Sequence, residues 1–349
     1  MKRILLTCML VTVAVFGWNL TQVPAATTVK PPVEQKKKPI ILGYYAENYA
    51  GDKNSYNSLK QNLSKVTDVS FSQFNVSKNG DVTGTIPADG LQLVHQAKKG
   101  SYILVTNHGE KLFDKEIVHA IVTDSAKKKK VITELVSIAN KNQLTGINLD
   151  FESVPANDRD AYSRFVGELT DELHKHKKKL IVCTQAKEND DPAIFWTYGY
   201  DLNAIGKKAD YVQVMTYDQH GPWSETGPVA SIQWVKDVVA YSKSQVPANK
   251  LLMGIPSYGY EWSSAGNRAV TFKQMPSLLK NAPVKAVWNS PAQSPTISYK
   301  KDGVSRTIWY ENEHSIRAKR QVAETNKLAG FAVWRLGFEN ADFWKGLAP

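Results

Sequence analysis

The chain has 349 residues, of which 42% are hydrophobic and 10% aromatic, and carries a formal net charge of +11. Its length suits one large domain with a substantial core, and its two cysteines, Cys8 and Cys183, are too few for a disulfide scaffold or for a zinc site with Cys/His spacing. No phosphate-binding loop is evident, and the lysine runs do not interleave with aromatic residues as a nucleic-acid surface would, so no nucleic-acid partner is expected.

In chain order, residues 1–26 read as a secretion signal. A basic MKR precedes the apolar run ILLTCMLVTVAVFGW and the small residues VPAA, and the run is short for a membrane span. Cleavage near Ala25 or Ala26 removes Cys8, Lys2 and Arg3, which leaves one cysteine and a charge of +9. Residues 27–38, TTVKPPVEQKKK, read as a Pro- and Lys-rich linker. The basic excess concentrates in Lys36–Lys38, Lys127–Lys130 and Lys175–Lys179. The last two runs fall on helical segments and read as solvated faces, with a secondary attraction to an anionic wall.

From residue 39 to 349, apolar runs alternate with helical patterns. The strand candidates are PIILGYY, TDVSFSQFNV, SYILVTN, TGINLDFE, KLIVCTQ, DYVQVMTYD, KLLMGIPSYG and GFAVWRLG. Eight strands separated by helix-sized gaps predict an α/β fold of the (β/α)8 TIM-barrel type. Residues 258–312 hold short β-like runs (KAVWN, TISYK, RTIWYEN) and a KKDG turn signal, so a small α+β insertion is expected between strands 7 and 8. Cys183, inside KLIVCTQ, reads as a core residue.

The fourth run poses the functional question. In LTGINLDFESVP, Ile147, Leu149 and Phe151 alternate with Asn148, Asp150 and Glu152. A surface strand would give the same alternation, but helical patterns on both sides (VITELVSIANKN and DRDAYSRFVGELTDELHKH) favour a covered parallel sheet. In a closed barrel the polar face then points inward, where carboxylates are costly unless they are paired or functional. Strand C-termini build the active site of such barrels. Here they supply Tyr44, Asn107, Asp150, Glu152, Tyr217, Asp218, Tyr258 and Trp334, a set suited to stacking sugar rings and hydrogen-bonding hydroxyls.

These residues carry a resemblance. LTGINLDFE resembles the DxxDxDxE signature of glycoside hydrolase family 18, with Thr145 and Asn148 at the first two acidic positions and Asp150 and Glu152 at the last two. GYY at 43–45, MTYD at 215–218, GIPSYGYEW at 254–262 and Trp334 extend it over the chain after the linker. The NLDFESVP wording is most similar to spore-cortex-lytic and spore-associated glycosylases. The resemblance implies Glu152 as proton donor, Asp150 as the residue that orients a 2-acetamido group, and Tyr217 as its hydrogen-bonding partner. It further implies Trp334 as the floor beneath that group and Asp218 as a sugar contact; Tyr44, Asn107 and Tyr258 are expected among the substrate-binding residues from their places at strand ends.

The chain is thus expected to be a secreted, wall- or spore-associated glycosidase acting as a monomer on an N-acetylglucosamine-containing glycan, without metal or cofactor. A chitinase or endo-acting N-glycan hydrolase is the alternative within the same chemistry. A non-catalytic sugar-binding or spore-coat protein is the alternative outside it, and the retained Glu152 weighs against it.

Overall fold

The computed structural model describes residues 38–110, 112–281 and 285–348. The expected signal segment and residues 27–37 of the expected linker lie outside the described residues. Eight parallel strands close on themselves. In chain order they are Ile40–Tyr45, Asp68–Val76, Gly100–Thr106, Gly146–Asp150, Lys179–Gln185, Tyr211–Met215, Leu251–Pro256 and Gly330–Trp334, hereafter the first to eighth barrel strands. Closure rests on the first strand, where Gly43 lies opposite Val333 of the eighth and Val69 of the second. The expected (β/α)8 barrel is therefore observed, and all eight apolar runs contribute to it.

Parallel neighbours need a long crossover, and helices supply it. The crossover helix Arg159–Lys175 follows the fourth strand and buries Tyr162, Phe165, Val166, Leu169 and Leu173, spaced as one helical stripe. Two helices, Lys115–Thr123 and Ser125–Lys141, follow the third strand. Asp124 separates them: its extended backbone ends the first, and its Oδ1 accepts from Ala126 N and Lys127 N to cap the second.

The alternation in the fourth strand resolves as expected. Ile147, Leu149 and Phe151 join the layer between strands and helices, together with Phe165 and Leu169. Asn148 and Asp150 are buried and belong to the opposite face, inside the barrel. The barrel interior is otherwise packed by Leu42, Tyr44, Tyr102, Leu104, Ile181, Cys183, Leu252 and Ala332.

KLLMGIPSYG differs from its reading as one strand. The seventh barrel strand stops at Pro256, and Tyr258–Ser263 starts a second sheet. Between them Ser257 donates its N–H to Trp334 O and its hydroxyl to Arg335 O, both at 2.9 Å, and so anchors the point where the chain leaves the barrel. The second sheet is antiparallel, in the order Arg268–Thr271, Tyr258–Ser263, Val304–Trp309, Ser294–Lys301 and Val287–Asn289. The helix Met275–Asn281 belongs to the same lobe. The KKDG turn forms with Asp302 and Gly303 both at positive φ (53° and 79°), as a two-residue hairpin requires. Glu261 is fully buried in this sheet, and Arg268, Arg306 and Tyr299 all donate to its carboxylate. Those three donors hold Glu261 below its ordinary pKa against the opposing effect of burial.

Candidate active site

The mouth formed by the strand C-termini opens into a cavity of about 390 Å3. Among its lining residues are Tyr44, Asp150, Glu152, Tyr217, Asp218 and Trp334. The structure thus brings together six of the eight residues selected from the sequence. The other two support them. Asn107 is fully buried, and its amide clamps the backbone at Glu152: Oδ1 accepts from Glu152 N at 2.8 Å and Nδ2 donates to Glu152 O at 2.9 Å. Tyr258 is 5% exposed and donates its hydroxyl to Asp218 Oδ1 at 2.6 Å. In this structure the polar groups of Asn107 and Tyr258 bond to neighbouring residues.

Glu152 lies just past the end of the fourth strand, two residues beyond Asp150. Its Oε2 accepts from Gln185 Nε2 at 2.6 Å. Burial and the nearby Asp150 charge hold the Glu152 carboxyl well above its ordinary range, with Asp218 adding to the effect and Gln185 opposing it. Burial likewise raises Asp150. Asp150 Oδ1 is buried without a hydrogen-bond partner among the described residues. A buried acceptor of that kind favours any donor brought within reach.

Beneath Asp150 the barrel interior is polar but uncharged. Asn148 Nδ2 donates to Tyr44 Oη at 3.0 Å and to Ser70 Oγ at 3.2 Å, and Asn148 Oδ1 accepts from Cys183 Sγ at 3.2 Å. Tyr44 Oη in turn donates to Gln213 Oε1 at 3.1 Å. The amide at 148 therefore serves as donor and acceptor at once, which a carboxylate could not do. Cys183, read as a core residue, is indeed buried, but it belongs to this network and lines the cavity floor.

Tyr217 follows the sixth strand. Gly254 on the seventh strand makes room for it, because a Cβ there would lie 2.7 Å from the Tyr217 ring. Burial keeps the Tyr217 phenol protonated. Asp218 takes a left-handed backbone (φ 62°), and its Oδ1 accepts from both Tyr258 and Tyr260. Trp334 packs edge-on against Tyr44, with ring centroids 5.1 Å apart.

Several lining residues were not selected from the sequence. Gln185 and Cys183 follow from the alternation that exposed Asp150, since Ile181, Cys183 and Gln185 share a face of the fifth strand. Others come from loops without periodicity. His108 stacks on Phe113 at 4.0 Å on one wall, and burial lowers its pKa. Trp223, 71% exposed, lies against Tyr260 and also lines the cavity.

Among the described residues, the lining thus holds three carboxylates and no lysine or arginine. Such a site stabilises positive charge developing on a neutral substrate. One carboxyl, Glu152, is held well above its ordinary range by burial and the Asp150 charge, which suits it to donate a proton.

Residues 40–339 match the family model described as Glycosyl hydrolases family 18. The chain is 35% identical over 320 residues to the uncharacterized glycosylase YvbX of Bacillus subtilis (strain 168), a match that spans 90% of this chain and 92% of that protein. It is 27% identical over 294 residues to the cortical fragment-lytic enzyme of Bacillus anthracis, spanning 80% of this chain and 67% of that enzyme. The crystal structure of a chitinase from Chromobacterium violaceum ATCC 12472 matches with a TM-score of 0.83 at 32% identity, covering 89% of this chain and all of that one. The chain belongs to glycosyl hydrolase family 18 and is a glycoside hydrolase related to spore cortex-lytic enzymes and chitinases.

Proposed function

We propose that this glycosidase is secreted and cleaves β-linked N-acetylglucosamine-containing glycan of peptidoglycan or spore cortex, with the substrate's own acetamido oxygen as nucleophile. The observation that carries the mechanism is the pair at the C-terminal end of the fourth strand. Asp150 and Glu152 are two residues apart, about 6.6 Å between Cα atoms, and approach a sugar from the same side. A conventional double displacement needs its nucleophile across the ring from its acid.

In the proposed mechanism Glu152 donates its proton to the leaving oxygen, then removes one from the incoming water. Asp150 Oδ1, buried and unpartnered, accepts from the acetamido N–H and stabilises the oxazolinium-like charge. The Tyr217 phenol donates to the acetamido oxygen, and Trp334 lies beneath the group. Asp218 contacts a sugar hydroxyl. The spore-cortex relatives support a wall or spore location.

A second reading, chitin as substrate, is favoured by the match to the Chromobacterium chitinase, which the chain covers completely. Incubating the purified chain with cortex peptidoglycan and with chitin, then sizing the products, separates the two. Soluble muropeptide fragments from cortex, with little release from chitin, are expected. Release from chitin alone assigns the site to chitin, and release from neither rejects both readings.

A further inference from the structure

The seven connections that lead from a helix into the next barrel strand all lie at the end opposite the active-site mouth. They are residues 63–67, 97–99, 142–145, 176–178, 209–210, 246–250 and 326–329, and they hold seven lysines, no arginine and one acid, Asp210. Asp210 is engaged by His174 and by Leu180 N. Seven connections at the mouth, residues 46–53, 77–87, 107–114, 151–158, 186–194, 216–231 and 335–340, hold thirteen acids against five lysines and arginines. Lysines that end helices or begin a strand add to the basic end. There Lys98, Lys141, Lys177, Lys179, Lys207 and Lys327 are exposed and make no ion pair with a described residue.

Three of these lysines occupy positions that favour glycine. Lys98, Lys177 and Lys327 each follow a helix end with φ between 52° and 57°. The helix dipole favours lysine in a final turn, but it gives no reason to replace glycine in a left-handed residue beyond it. Among the described residues, the face also carries no large exposed apolar side chain. Those of the described residues are Tyr49, Leu112, Phe195, Trp196, Trp223, Val287 and Trp288, which sit at the mouth or in the lobe. A membrane surface would call for apolar residues on the basic face, and single-stranded nucleic acid for aromatic ones. Arginine, the usual choice for bidentate phosphate contact, is missing from its connections.

We infer that this basal lysine face docks the enzyme on the peptide carboxylates of peptidoglycan, leaving the catalytic mouth turned toward neighbouring glycan. Spaced lysine charges suit a diffuse polyanion, and the acid-rich mouth disfavours the opposite orientation. The partner's identity rests on the proposed peptidoglycan substrate, but docking is measurable without hydrolysis.

The test uses full-length Glu152→Gln protein, which does not digest its target, in sedimentation with three insoluble polymers: peptidoglycan sacculi stripped of phosphate polymers, walls that retain them, and chitin. Stripped sacculi should retain the protein at low salt, and raising salt from about 0.05 to 0.5 M should weaken retention at least about tenfold. Changing Lys98, Lys141, Lys177, Lys179, Lys207 and Lys327 together to Gln should weaken it similarly, whereas changing them to Arg should not. In the parent background, the Gln set should hydrolyse a short soluble oligosaccharide at the parent's rate, with an unchanged Tm. Should the Gln set misfold, the salt series and the Arg set still decide. Equal retention by the Gln set, equal retention on chitin, or retention only where phosphate polymer is present would overturn the inference. Failure of hydrolysis with intact salt-sensitive retention would instead count against the proposed substrate alone.

Discussion

At the mouth of the barrel, acids are desolvated and donors are few; at the base, close backbone packing and lysine–carbonyl bonds tie the connections down. Asp150 and Glu152 are both raised by burial at the mouth, and Asp150 Oδ1 has no partner among the described residues. At the base, Gly146 and Gly330 begin the fourth and eighth strands so close to their neighbours that a Cβ would lie 2.0 Å from Lys179 O and 1.9 Å from Ile40 O. Lys99, Lys178 and Lys250 donate to loop and helix-end carbonyls of Val66, Leu144, Gly206 and Ala209. These bonds satisfy acceptors that helix ends leave open. One repeated unit thus concentrates chemical cost at one end and fixes strand register at the other. Substitutions at the two ends should therefore separate activity from stability.

The largest expected effect is at the mouth. Glu152→Gln keeps the shape and removes the proton, and should lower turnover of natural glycan by about 10²–10⁴-fold. Its Tm should be equal or higher, because the change removes a buried ionisable group. A variant with parental turnover breaks the assignment of Glu152 as the acid. Gly146→Ala is the counterpart at the base. Overpacking against Lys179 O should cost about 1–3 kcal/mol in denaturant melts, while kcat/KM of the folded fraction stays within about twofold. Loss of activity without loss of stability would erase the contrast between the ends.

Gln185→Leu sharpens the account of how the mouth sets its proton. The Gln185 bond opposes the rise of the Glu152 pKa. Without it Glu152 should hold its proton to higher pH, so the alkaline limb of kcat should move upward, with a loss of about tenfold at the optimum from poorer positioning. A downward shift contradicts that role.

The smallest effect is on stability against pH. Asp150 has a folded-state pKa raised to about 7 from an ordinary 3.8. A raised carboxyl binds its proton more tightly in the fold than in the unfolded chain. Its contribution is fully present below the ordinary value and is lost as pH rises toward the folded value. Asp150→Asn should therefore gain about 2 °C or more in Tm relative to the parent at pH 8, and less at pH 4. An equal gain at both pH values would remove ionisation as the cause.

Much of this was legible because barrel strands write their geometry into a period of two. The alternation of Ile147, Leu149 and Phe151 with Asn148 and Asp150 was enough to place two polar side chains inside the barrel, and KKDG was enough to locate a hairpin. Ser257 was not legible as a break, because GIPSYG stays apolar and strand-like while the chain passes from one sheet to another. Its signal is a set of bonds to Trp334 and Arg335, some 77 residues away. Asn107 looked like a sugar ligand because it sits at a strand end. Its partners are backbone atoms of Asp114 in its own loop and of Glu152, the latter a contact that exists only once the third and fourth strands are paired. His108, Phe113 and Trp223 lie in irregular loops, where residue type gives no direction.

In the proposed mechanism the nucleophile belongs to the substrate, because both acids approach from the end of one strand. Matched oligosaccharides that differ only in the N-acetyl group of the reacting sugar test it most directly, with rates read alongside trapping by a fluorosugar. The account predicts cleavage of the acetylated substrate alone and no labelled protein residue. Efficient cleavage of the free 2-amino substrate, or a covalent glycosyl adduct on Asp218, would contradict it.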